Sequence, residues 1–280
     1  MDDGALMAPL VSGYDTTEGP AFGRHGDLFF VNSSTHAILR RGADGSVAEF
    51  ANTGGIPAGL AFHRDGSLYV ADEGDEIHGI LRVSPDGSVE PVVSHYQGQP
   101  LNGANDLVFD ANGVLYFSDP WRSSLENPVG TFYRLSLDGE LEQVDRGLAF
   151  PNGVAINADG SAVFLAETYR QRILRFPIGT DGAVGEREVF ATLEGPHGPD
   201  GMAFDVEGNL YVAYFGGGRV DVIDPAGTVI DALPVPGEQP TNVAFGGPDR
   251  TMLVVTEYAT HAIYHRAVPI PGLPLFAERD

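Results

Sequence analysis

The stretch NDLVFDANGVLYFSD, from Asn105 to Asp119, has an apolar segment, an Asn-Gly turn and a second apolar segment. That is the pattern of a β-hairpin. Variants of it recur on either side. Upstream lie AGLAFHRDGSLYVAD (Ala58 to Asp72) and EGPAFGRHGDLFFVN (Glu18 to Asn32). Downstream lie NGVAINADGSAVFLAE (Asn152 to Glu167), DGMAFDVEGNLYVAY (Asp200 to Tyr214) and TNVAFGGPDRTMLVVTE (Thr241 to Glu257). The six copies start 40, 47, 47, 48 and 41 residues apart, the period expected of a β-propeller blade.

Each hairpin is followed by a third apolar run: AILRRG, GILRVS, TFYRLS, RILRFP, RVDVID or AIYHRA. A turn and a fourth run follow, for example VEPVVS near Val89 and LEQVDR near Leu141. Four antiparallel strands per unit define a blade. The expected fold is therefore all-β, a six-bladed β-propeller, with blades starting near 18, 58, 105, 152, 200 and 241 and one domain filling residues 1–280. The sixth unit lacks a fourth strand and runs into the proline-rich PIPGLPLF. Ala8 to Gly13 sits where such a strand belongs. The N-terminal segment is predicted to complete the last blade, closing the ring and removing an exposed edge.

Composition narrows the function classes. The chain has 39 acidic and 16 basic residues, a net charge of −23, and every basic residue is arginine. Such a surface repels nucleic acid and anionic membranes, so neither is an expected partner. Without lysine there is no lysine Schiff base, and without cysteine there is neither a disulfide framework nor a thiolate metal site. Asp2 and Asp3 stand where a secretory leader would be basic, and no apolar run approaches a membrane span. A cytoplasmic protein is expected, and a closed all-β ring needs no partner chain, so a monomer.

The first position of each repeat varies while the frame around it does not: Glu18, Ala58, Asn105, Asn152, Asp200, Thr241. In a propeller, equivalent positions on the innermost strands form a ring about the axis. Glu18, Asn105, Asn152 and Asp200 would then bring two carboxylates and two carboxamides to the channel mouth. That is a hard-oxygen set for one divalent cation, whose charge balances the two carboxylates. Any one of these residues could equally be a solvated strand-start residue. Four at equivalent positions point to a site, because gathering acidic groups on one axis costs several kcal/mol without a cation.

The segments TEGPAF at Glu18, LNGANDLVFDANGVLYFSDP around Asn105, FPNGVAIN around Asn152 and GPDGMAFD around Asp200 carry a resemblance. They resemble, in the same order, those of the gluconolactonase, senescence marker protein (regucalcin) and diisopropyl fluorophosphatase group of six-bladed propellers. The likeness spans essentially the whole chain and is greatest to bacterial gluconolactonases. The resemblance implies a metal-dependent hydrolase of a sugar lactone. It implies Glu18, Asn152 and Asp200 as metal ligands, Asn105 as a fourth ligand or substrate contact, and Asp106 beside the pocket.

The group uses Ca²⁺, Mn²⁺, Zn²⁺ or Fe²⁺. The all-oxygen donors favour calcium or manganese, with calcium expected here. Asp200 is the expected general base, or the carboxylate that orients the attacking water. Gly103 stands where the senescence marker branch carries a sugar-contacting arginine, so the exact substrate differs from that branch's.

Loops at the mouth supply further substrate-contact candidates: Trp121, Arg122, Tyr169, His197 and Phe215. For Trp121, packing between loops and stacking on substrate are both open. Asp119, Glu167 and Glu257 end second strands, as partners of site residues or as turn formers, while Asp72 and Asp75 are expected in solvent. Two other functions stay in view. One is hydrolysis of a different ester or a phosphotriester at the same site, and the other is a non-catalytic propeller that binds a partner.

Overall fold

Six four-stranded antiparallel sheets are arranged in a ring in the computed structural model, which describes residues 6–278. Asp2 and Asp3 lie outside the described residues. Blade one comprises Thr17–Phe22, Leu28–Asn32, Ala37–Arg41 and Val47–Asn52. Blade two follows with Pro57–Phe62, Leu68–Glu73, His78–Val83 and Val89–Val93. Blade three holds Leu107–Phe109, Leu115–Asp119, Gly130–Leu135 and Leu141–Leu148, and blade four Pro151–Ile156, Ala162–Glu167, Arg172–Pro177 and Glu188–Thr192. Blade five runs through Gly198–Phe204, Leu210–Phe215, Arg219–Ile223 and Val229–Pro234.

Blade six is built from both ends of the chain. Pro240–Gly246, Met252–Glu257 and Ala262–Ala267 supply three strands, and Ala8–Ser12 supplies the fourth. Ser12 pairs with Ala262 and Val11 with Ile263, as the missing fourth strand of the last repeat predicts.

The hairpins form where the sequence places their turns. In the third repeat Gly113 adopts φ +90°, which glycine reaches without strain. Asp110 Oδ1 accepts the backbone N–H groups of Asn112 at 2.8 Å and Val114 at 2.9 Å, closing the turn. Each sheet is apolar on both faces, and the core lies between blades. Six clusters of buried side chains occupy the six interfaces. Between blades three and four, for example, Val108, Tyr116 and Phe132 pack on Val154, Leu165 and Phe176. Each such buried side chain contributes about 1.5–3 kcal/mol of apolar transfer.

The proline-rich tail has a role that its sequence pattern does not reveal. It crosses the face opposite the repeat-leading residues and closes that end of the channel. Leu273 N–H bonds Phe204 O at 2.9 Å, and Arg24 Nε and Arg64 Nε donate to the carbonyls of Ala277 and Phe276 at 3.1 and 3.2 Å. The Phe276 ring lies 5.4 Å from that of Phe109, with the Arg64 guanidinium 4.4 Å from its centroid. The tail is thus held from blades one, two, three and five, with Phe276 as a plug against blades two and three. Phe276→Ala is expected to destabilise the protein by about 3 kcal/mol, the usual cost of emptying an aromatic core site, seen as a lower denaturant midpoint. A loss below about 1 kcal/mol would show that the tail merely rests on the ring.

Candidate functional site at the channel mouth

Every repeat but the third shows a register shift just where its leading residue enters the sheet. The shifts fall between Glu18 and Ala21, Pro57 and Leu60, Pro151 and Val154, Pro199 and Met202, and Pro240 and Asn242. In the third blade the strand itself starts two residues late, at Leu107. Bulges of this kind re-aim side chains. The neighbouring innermost strands nearly touch here. A Cβ on Gly19 would lie 2.1 Å from Ala58 O, and one on Gly153 2.2 Å from Asp200 O. In the four repeats where glycine follows the leading residue it is therefore a steric requirement, while Asp106 and Asn242 hold that position in the other two and pack against Gly59 and Gly201.

Four buried carboxylates hold this entrance in place. Asp72, Asp119, Glu167 and Glu257 are all fully buried at the ends of second strands. Each accepts backbone N–H groups from the loop that feeds the innermost strand of its own blade. Asp72 takes Ile56 at 2.7 Å, Asp119 takes Gly103 at 2.7 Å and Asn102 at 2.9 Å, Glu167 takes Ala149 at 2.8 Å, and Glu257 takes Gln239 at 2.7 Å. The expectation that Asp72 faces solvent is therefore corrected: its backbone partners draw it inside, while Asp75 is exposed. Such charge-assisted bonds compensate the burial of a carboxylate.

A second group of carboxyls is placed differently. Asp200 is buried, and its carboxyl is raised well above the ordinary range by loss of solvent and then by the charges of Glu18, Asp106 and Glu73. The Asn152 carboxamide beside it works in the opposite direction, favouring the carboxylate. Glu18 keeps part of its surface open at the mouth, yet desolvation pushes it up to about 7 against the backbone bond from Gly19 N–H (2.8 Å) and the side chains of Asn242 and Thr241. Desolvation likewise lifts Asp106 to about 7 and Glu73 to about 8.

No ion pair among the described residues links any of these four to an arginine or histidine. The site is thus rich in acidic groups that hold on to their protons for want of a basic partner.

The structure brings Glu18, Asn152 and Asp200 into mutual reach, with Asn105 joined to them through Glu73, whose Oε1 accepts from Asn105 Nδ2 at 2.7 Å. Glu73 escapes the repeat pattern because it lies one residue past the frame, after Asp72. Its only signal is an acidic residue where the other repeats place Ser33, Pro120, Thr168, Phe215 and Tyr258.

Asp106 turns inward below the mouth. Its Oδ2 accepts Val154 N–H at 2.9 Å, and it lines an axial cavity of about 90 Å³. That cavity is otherwise largely apolar and ends at the C-terminal plug, so the polar chemistry belongs to the mouth above it.

The loop candidates are spread around the rim. Trp121 is half-buried against Gly103, where a Cβ would meet Trp121 Cβ at 3.0 Å. Arg122 is exposed and paired with Asp75 at 3.1 Å. Tyr169, 40% exposed, lies 5.0 Å from the Phe150 ring, and His197, at φ +56°, sets its ring 5.5 Å from Phe215.

Among the described residues no group of three or more histidine, aspartate and glutamate side chains is arranged to hold a metal ion by itself. Any cation here needs the carboxamides as donors. The donor chemistry fits a hard divalent ion, since the carboxyl and carboxamide groups offer oxygens and the buried acidic groups have no basic partner among the described residues.

Among the described residues, no helix is long and apolar enough to cross a membrane. Comparison with known proteins agrees with the fold. The chain is 30% identical to a diisopropyl-fluorophosphatase of Loligo vulgaris, over 92% of this chain and 91% of that one. It is 28% identical to a gluconolactonase of Zymomonas mobilis subsp. mobilis, over 91% of this chain and 80% of the other. A gluconolactonase structure from Xanthomonas campestris superposes with a TM-score of 0.81 at 25% identity, covering 94% and 88% of the two chains. A calcium-binding regucalcin from Agrobacterium tumefaciens shares the fold, with a TM-score of 0.85 at 23% identity over 98% of both chains. The profile of the SMP-30/Gluconolactonase/LRE-like region matches residues 16–259, and with the six-bladed ring and its ordered motifs this places the chain in that family.

Proposed function

We propose that this protein is a divalent-cation-dependent hydrolase that opens the ring of a lactone of the gluconolactone type. The observation that carries the reading is the cluster of Glu18, Glu73, Asp106 and Asp200 without a basic partner, faced by two carboxamides. A propeller serving only as a scaffold has no use for that electrostatic cost. Glu18, Asn105, Asn152 and Asp200 would hold the cation, and calcium or manganese suits their oxygen donors. Bound there, it would supply Lewis-acid polarisation of the ester carbonyl.

The chain's own residues do the rest. Asp200, kept ionisable by the Asn152 carboxamide, orients a water and takes its proton as the oxygen attacks the carbonyl carbon. The ring C–O bond then breaks, and the proton passes to the departing ring oxygen, leaving a hydroxy acid. The bulge at Asn152 and the backbone bonds of Asn105 to Gly59 and Ser118 hold the two carboxamide-bearing positions, limiting reorganisation as charge develops. The rim residues Trp121, Tyr169 and His197 would contact the rest of the substrate, and Arg122 stands farther out. The Loligo vulgaris relative, a diisopropyl-fluorophosphatase, supports a second reading in which the same mouth hydrolyses a phosphorus ester.

Asp200→Asn and Glu18→Gln are expected to lower lactone turnover by at least about 100-fold with the fold retained, whereas Ala58→Ser changes little. The assay is acid release from gluconolactone, xylonolactone, a simple γ-lactone, an aryl ester and a fluorophosphate, with Ca²⁺, Mn²⁺, Zn²⁺ or Fe²⁺ added singly to stripped protein. Full activity in all three variants would refute the axial site.

A second outcome concerns stability. Glu18, Glu73 and Asp106 stand at about 7, 8 and 7 in the folded chain, against about 4 when unfolded. Between these limits the folded state binds more protons than the unfolded one, so their stabilising contribution is complete below about pH 4 and is lost as pH rises through about 8. With chelator present, the melting temperature should fall across that window. Adding the cation should flatten the decline, and a melting curve indifferent to both pH and cation would count against a cation site.

A further inference from the structure

In blades one, two and four the residue just past Asn32, Asp72 and Glu167, at the end of the second strand, reaches toward the next blade. In blade one it is Ser33, whose hydroxyl donates to Pro57 O at 2.7 Å. In blade four it is Thr168, whose hydroxyl donates to Pro199 O at 2.8 Å. Both tie a second strand to the backbone that leads the neighbouring innermost strand. In blade two the same position is Glu73, and its partner is a side chain instead: Asn105 Nδ2 donates to Glu73 Oε1 at 2.7 Å.

The surroundings leave this pair little freedom. Gly103, at φ +142°, packs so closely that a Cβ would lie 3.2 Å from Glu73 Cα and 3.0 Å from Trp121 Cβ. Asp119 clamps the backbone of Asn102 and Gly103, and Asn105 O accepts Gly59 N–H at 2.7 Å. The backbone of Asn105 is thus fixed, and only the carboxamide could still rotate.

We propose that Glu73 is a positioning residue: it holds the amino edge of the Asn105 carboxamide and so commits Oδ1 to the open side of the mouth. Glu73 Oε1 accepts from the NH₂ edge of the amide, which leaves Oδ1 on the opposite side of the carboxamide. A cation on Oδ1 would withdraw density from the amide and strengthen the bond from its NH₂ group, as outer carboxylates do for metal-bound histidine. The inference deepens the proposed function, since it assigns how one of that site's oxygens is aimed. It also explains an acidic residue placed among other acids, where charge alone would disfavour it.

The test uses the intact chain with Glu73→Gln, Glu73→Leu, Asn105→Ala and the double variant Glu73→Leu/Asn105→Ala. Glutamine keeps an acceptor oxygen, and leucine does not. The first readout needs no metal: the Asn105 side-chain NH₂ pair in an amide NMR spectrum of ¹⁵N-labelled protein. Two sharp, separated, slowly exchanging protons are expected in the parent and in Glu73→Gln, and an averaged or broadened signal in Glu73→Leu.

The second readout is Ca²⁺ and Mn²⁺ binding by calorimetry. Affinity is expected to fall about 10- to 100-fold in Glu73→Leu and by less in Glu73→Gln. The double variant should bind nearly as Asn105→Ala does, because one contact is removed twice. An unchanged Asn105 signal in Glu73→Leu would overturn the proposal, as would equal losses in the leucine and glutamine variants or additive losses in the double variant. A parent protein that binds neither cation would instead defeat the cation reading, and the NMR signal would still decide the positioning role.

Discussion

At the level of the site four innermost strands, at Gly19, Gly59, Gly153 and Gly201, have no room for a side chain against the next blade. Gly19 and Gly153 each abut a carbonyl of the next blade at a distance that excludes a Cβ, and the strands bulge there to relieve the crowding. From this contact follow the narrow ring, the aim of the leading side chains and the sealed cavity below. A wider ring would fill with water and screen the charges. The close backbone approach makes carboxyls on different blades feel one another strongly.

The structure contains two populations of buried acid that a composition count cannot separate. Asp72, Asp119, Glu167 and Glu257 each end a second strand and accept backbone N–H groups from the loop before their own innermost strand, although loss of solvent still raises Asp72 and Asp119. Glu18, Glu73, Asp106 and Asp200 gather at the axis, where loss of solvent outweighs their few bonds and raises their proton affinity. The first population shapes the loops that deliver the second. Architecture and reactivity thus draw on the same residue type, distinguished by whether the carboxyl braces the loop of its own blade or meets carboxyls of other blades at the axis.

The fold was legible because a propeller writes itself six times. The period, the hairpin turns and the missing fourth strand of the last unit pointed to the ring and its closure, and the register of Ala8–Ser12 on Ala262–Ala267 agrees. The variable leading position was legible for the same reason, since function stands out where a repeat departs from itself. What stayed hidden depends on packing between units. Asp72 looked like a loop residue, because its backbone partner Ile56 lies sixteen positions away. Glu73 sits one residue outside the repeating frame, and its partner belongs to the next blade. The tail carries no periodicity, and only its contacts with Phe204, Phe109 and Arg64 give it a role.

The composite sixth blade sets a timetable for making the protein. Ala8–Ser12 leaves the ribosome first, but its partner strand ends at Ala267, almost at the end of the chain. Throughout synthesis the first segment is an unpaired ribbon and the growing ring is an open arc with two bare edges. Closure of this kind is a late, non-local step, because Ser12 and Ala262 must pair across the whole ring. Vectorial folding can therefore assemble blades one to five as they emerge, while the finished ring waits until Ala262–Ala267 has been made. A permuted chain whose ends fall between two blades would have no such wait.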